Sequence, residues 1–143
     1  MRRKYLDMQK RHQDELSNFP IVYAFSNEQL EEALKKLGAK KEECVTVAGH
    51  GDVMRKSDVA AFYVMIKRHR EELREAMKDV EFAYEAFLYE MDNHEYAINW
   101  SGDEDVLACF SMDWDDVCKL GLQLAYNKAR DQHMEHAREW DMI

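Results

Sequence analysis

One proline, Pro20, and five glycines punctuate 143 residues, so little in this chain breaks a helix. Three cysteines, Cys44, Cys109 and Cys118, are an odd number and form no CxxC pair. That suggests no disulfide framework and no zinc knuckle, and the three read as free thiols of a reducing cytoplasm. No apolar run is long enough to span a bilayer. The opening "MRRKYLDMQKRHQDEL" lacks the apolar core of a secretory signal, so no membrane partner is expected. The least expected absence is of positive charge: no Lys or Arg lies between Lys78 and Lys119.

What is present suits a folded chain. Apolar and aromatic residues make up 46% of it, too many for disorder. The length fits one domain with its own core, and a single domain over residues 1–143 is expected. Residues 1–18 are charged with sparse apolar positions and read as an N-terminal helix or arm. "IVYAF", Ile21–Phe25, predicts a strand. In "SNEQ", Ser26 and Gln29 form a capping-box pattern. Leu30, Ala33, Leu34 and Leu37 then give one helical face, and Gly38 is placed as its left-handed cap. "CVTVA", 44–48, predicts a second strand, "GHG" a turn, and Asp52–Arg55 a short return strand.

Ser57 predicts the next N-cap, and apolar steps of three or four run from Val59 to Met91. One helix that long would reach about 50 Å, longer than is usual. A break is expected near Lys78–Asp79, where the charge changes sign. "EYAINW", Glu95–Trp100, predicts a third strand. Ser101 and Glu104 predict a second capping box, opening a short helix with Val106, Leu107 and Phe110. Asp113 to about Trp140 reads as helical, with Trp114, Val117, Leu120, Leu124 and Tyr126 inward. Residues 130–143 are expected to fray. The sum is an α+β fold with a helical majority and a small β-sheet of about three short strands.

Glu90 and His94, in "YEMDNHEY", stand four apart and share a helical face, a spacing that suits metal ligands. His50 and Asp52, in the glycine-bounded turn, could join them and, with Glu95, form a metal-dependent or acid–base site. No HExxH or His-rich signature supports this. The plainer reading is a helix terminus, with His94 bonded to backbone or to Glu90. Gly49–Gly51 lacks Walker and Rossmann spacings and reads as a strand turn. Each cysteine sits in an apolar context where a buried thiol is ordinary. His133 and His136 lie on a charged tail and read as exposed. The run Lys67, Arg68, Arg70, Arg74 alternates with Glu71, Glu72 and Glu75, a solvated helix face rather than a phosphate track.

The base-free interval holds twelve of the 29 acids and more than the whole net charge of −9. It is interleaved with Phe82, Tyr84, Phe87, Tyr89, Tyr96, Trp100, Phe110 and Trp114, which should fold it onto a core. Rigidly held carboxylates can imitate phosphate spacing and occupy a basic channel; acidity for solubility alone is the bland alternative. Direct nucleic-acid binding is not expected, and no cofactor is. A basic, nucleic-acid-binding protein is the expected partner, met by Glu81, Glu85, Asp103, Asp105, Asp113, Asp115 and Asp116.

"YAFSNEQLEEALKKLG", "GDVMRKSD" and "EAFLYEMDNHEY" resemble a family of small acidic proteins carried by phages and mobile elements of gut bacteria. The resemblance runs from Phe19 to Phe110 and is most specific in "FSNEQ", "MRKSD" and "NHEY". That family has no established activity, so the resemblance implies no catalytic residue. In size, charge and local style the chain is also similar to anti-CRISPR inhibitors, including those of type II-A Cas9. This implies a non-enzymatic, stoichiometric inhibitor in the bacterial cytoplasm, acting on a host defence protein such as Cas9 or its guide-RNA complex. Two alternatives stand beside it. One is a metal-dependent or acid–base enzyme around His50 and His94. The other is a homo-oligomeric accessory protein with the long amphipathic helix as its interface.

Overall fold

The structure, a computed structural model, describes residues 3–47, 49 and 51–143. Its helices are α1 (Lys4–Ser17), α2 (Asn27–Leu37), α3 (Val59–Ala76), α4 (Val80–Asn93), α5 (Gly102–Ala108), α6 (Trp114–Lys119) and α7 (Gln123–Glu139), and its strands are β1 (Val22–Tyr23), β2 (Cys44–Val45) and β3 (Asp52–Arg55). This is the expected α+β fold. The chain divides into two compact units: Lys10–Arg70, the sheet unit, and Met1–Gln9 with Glu71–Ile143, the acidic unit. Among the described residues no helix is long and apolar enough to cross a membrane.

In the sheet unit the strands lie in the order β1-β3-β2, both pairs antiparallel. The return strand is therefore the central one, and its Val53 and Met54 are buried. Gly51 enters it at φ 79°, and a Cβ there would lie 2.7 Å from the Phe25 ring and 2.9 Å from the Ala24 carbonyl oxygen, so only glycine fits. Ser26 Oγ accepts from the Gln29 N–H at 3.2 Å, while Gln29 Oε1 accepts from Phe25 N–H at 2.7 Å. The reciprocal bond thus lands one residue before the usual box. Gly38 closes α2 at φ 62°, and the Arg55 guanidinium donates to the Leu37 carbonyl, covering a helix-end acceptor. Ser57 is not an N-cap: it lies inside a 3₁₀ turn, Lys56–Asp58, that leads into α3.

Glu15 in this unit accepts from Arg68 at 2.6 Å and pairs with His69 Nε2 at 2.5 Å. The Arg68 hydrogen bond, with that of His69, holds its carboxyl down at about 2. A carboxyl lowered on folding adds stability above its unfolded value of 4.5 that is lost as pH falls towards 2. Glu15→Gln is expected to remove that part of the acid-denaturation slope and leave stability near pH 7 lower. Urea melts at several pH values between these limits check it.

The acidic unit is helical. The expected break falls at Met77–Asp79, where Asp79 caps α4 by accepting from Glu81 N–H at 2.9 Å and Phe82 N–H at 3.3 Å. Helix α4 packs along α7. Small side chains make this possible: Ala83 and Ala86 on α4, and Ala125, Ala129 and Ala137 on α7, are all buried, and small facing residues let helices approach closely. Phe87 meets Phe110 and Tyr126 edge-on, at centroid separations of 5.4 and 5.0 Å, geometry that aromatic quadrupoles favour.

Two expectations fail here. Glu95–Trp100 is not a strand. Glu95 turns the chain at φ 50° and Tyr96–Ile98 is a 3₁₀ turn. No strand among the described residues of this unit offers an edge to pair with, and an unpaired strand is not viable. Second, the helix from Asp113 is interrupted: Gly121, at φ 69°, separates α6 from α7. This rotates Leu124 out to 75% exposure, and Trp114 is 44% exposed rather than inward. Beyond Gly121 the helical reading holds: α7 runs to Glu139, with His133 and Ala137 fully buried on it.

Candidate functional site

Charge is divided between the units. The acidic unit carries twenty acidic and nine basic residues, net −11, and the sheet unit nine and eleven, net +2. Most of the carboxylates expected at a partner surface serve the fold first. Glu85 accepts from the backbone N–H groups of Lys4 and Tyr5, at 3.2 and 2.7 Å, and so caps the start of α1. Asp103 accepts from the Tyr96 and Tyr126 hydroxyls at 2.8 and 2.5 Å. Burial and this acceptor push both phenols up. Asp105 accepts from Asn99 Nδ2 at 2.9 Å, and Asp113 and Asp116 form the capping box of α6. Glu81 and Asp115 are exposed on α4 and α6.

Ser101 and Glu104 do not form the expected second box. Ser101 precedes α5 without a side-chain cap, and its hydroxyl lies 3.3 Å from Asn99 Oδ1 and 3.4 Å from Asp105 Oδ2.

A groove of about 1140 Å³ crosses the acidic unit, lined by the start of α1, by α4 and by α7. Its apolar lining includes Val80, Tyr89 and Leu124, which are 56%, 37% and 75% exposed. Six carboxylates line it against three bases, Arg3, Lys4 and Lys128.

Asp92, on the groove, joins two histidines. His133 Nδ1 lies 2.7 Å and His136 Nδ1 3.0 Å from its carboxylate. His133 Nε2 accepts the Ala97 N–H at 2.9 Å. A backbone N–H can only donate, so His133 carries its proton on Nδ1. Both histidines, expected to be exposed, are instead held: His133 is 0% and His136 24% exposed. A signal was present. Ala125, Ala129, His133 and Ala137 repeat every four residues, which puts His133 on the small-residue face.

Glu90 and His94 do come together, in a different company from the one expected. Glu90 is 5% exposed and its Oε2 accepts from Tyr5 OH at 3.0 Å. His94 Nε2 lies 3.3 Å from Cys109 Sγ. One ligand-type atom from each of Glu90, His94 and Cys109 falls within 4.8 Å of the others. Burial, then the Glu90 carboxylate, push the Cys109 thiol up to about 12, so as a free thiol it is a poor nucleophile near neutrality. Asp52 belongs to the sheet unit, where it is buried and accepts from Val47 N–H at 2.8 Å. His50 lies outside the described residues. Glu95 is exposed at the turn after α4. Fifteen residues separate Cys109 from His94, and no local spacing in the sequence reports a contact made through the fold.

These features define an α+β protein with an acidic helical unit that carries an open groove and a separate Glu–His–Cys cluster. Residues 4–132 match DUF7659, a family of unknown function, and the chain belongs to that family. No curated protein and no solved structure matches it.

Proposed function

We propose that the chain is a non-enzymatic docking protein whose acidic unit receives a basic amphipathic helix of a nucleic-acid-binding protein in the groove of α1, α4 and α7. The observation that carries this reading is the exposed apolar lining inside a unit of net −11. A helix in a groove is held through apolar anchors at i, i+3, i+4 and i+7. Flanking lysines and arginines would meet the surrounding carboxylates, which speeds and selects the encounter. The same field repels a bare phosphate backbone.

The likeness to anti-CRISPR inhibitors in size, charge and local style suggests, as the proposed partner, a bacterial defence nuclease of the Cas9 type, inhibited by stoichiometric occupancy. The test is to mix the protein with purified Cas9–guide-RNA complex and follow both co-elution and cleavage of target DNA. Equimolar co-elution with loss of cleavage is expected. Unchanged cleavage at tenfold molar excess would remove Cas9 as the partner. Dimerisation through the groove, seen by light scattering, would give the groove to a second copy and overturn the docking reading.

A further inference from the structure

We propose that Glu90, His94 and Cys109 form a binding site for a single zinc-type divalent cation, with a fourth position open to water or an external ligand. The proposal is independent of the docking reading. Glu90 lies in the last turn of α4, and His94 is the residue that caps the C-terminal end of that helix, its N–H bonded to the Glu90 carbonyl. The third comes from the C-terminal end of α5.

The donor chemistry is specific. Imidazole and thiol together favour zinc over magnesium or calcium, which prefer oxygen alone. The geometry agrees. Zinc bonds of about 2.0 Å to nitrogen and 2.3 Å to sulfur, at a tetrahedral angle, put those atoms about 3.5 Å apart. His94 Nε2 and Cys109 Sγ stand 3.3 Å apart. The carboxylate is also prepared as a ligand. Glu90 is 5% exposed, and the Tyr5 hydroxyl grips one of its oxygens at 3.0 Å, the outer support that metal-bound carboxylates usually have.

Binding balances simply. The Cys109 S–H bond breaks, its proton leaves to solvent, and a zinc–sulfur bond forms. Thiolate and carboxylate together then offset the two positive charges of the ion, while His94 binds neutral.

The test uses the full chain, stripped with chelator and titrated with cobalt(II) and then zinc(II). One equivalent of cobalt is expected to give a thiolate-to-cobalt charge-transfer band, displaced stoichiometrically by zinc. Cys109→Ser should abolish the band and weaken zinc binding by at least about tenfold, as should His94→Gln. Cys44→Ser and Cys118→Ser should leave both unchanged. Tyr5→Phe, which keeps all three ligands, should keep the band and weaken affinity. Circular dichroism shows which variants remain folded. A band that survives Cys109→Ser in folded protein, or no uptake at one equivalent by the unmodified chain, would overturn the site.

Discussion

Replacing His133 with alanine is expected to cost the acidic unit about 3–4 kcal/mol. Two losses combine. A side chain with 0% exposure leaves a cavity beside α4, and cavity formation is costly because neighbours relax only partly. Its two hydrogen bonds also go. Ala97 N–H loses its 2.9 Å acceptor and Asp92 one of its two histidine partners, at 2.7 Å, and a partly buried N–H left unmet adds to the loss. Tyr96, edge-on to the ring at 5.8 Å, loses its neighbour, so the 3₁₀ turn after α4 should loosen first. His136→Ala is the control. His136 bonds the same Asp92 but is 24% exposed, and about 1 kcal/mol is expected from it. Urea unfolding checks both. Equal losses would mean that His133 is not the buried tie.

The second large effect is on binding. Leu124→Lys combined with Val80→Lys is expected to weaken the partner at least about thirtyfold, by removing apolar anchors and adding like charge. Both residues are more than half exposed, so stability should move by less than about 0.5 kcal/mol each. This pair separates binding from folding, and charge reversal of the acids does not. Glu85→Lys would uncap α1, and Asp113→Lys and Asp116→Lys would open the box of α6, with folding lost before binding could be read. Isothermal titration beside a thermal melt checks the pair. Full binding by a folded double variant would place the partner elsewhere.

Legibility in the sequence followed how local each feature is. The cap and stop of α2 were readable because Ser26, Gln29 and Gly38 act on backbone within four residues of themselves. The break before Asp79 was readable from charge and length. Strand propensity at Tyr96–Trp100 was real but local, and pairing is not: without an edge, the same residues made a 3₁₀ turn and lent Tyr96 to Asp103. Gly121 stops α6 inside a segment whose apolar rhythm resumes beyond it. That one residue decided that Leu124 faces solvent. The acids were readable as a charge and not as a surface, since caps and tyrosine hydroxyls had already engaged Glu85, Asp103, Asp113 and Asp116. The joining of Glu90 and His94 to Cys109 needed α4 and α5 to be packed.

The direct measurement of the docking claim is a calorimetric titration of the protein with a Lys- and Arg-rich amphipathic helical peptide at low and at high salt. Binding is expected at low salt, about tenfold weaker or more at high salt as the charges are screened, and lost in the Leu124→Lys, Val80→Lys variant. No binding at low salt, or equal binding of a scrambled peptide of the same charge, would contradict it.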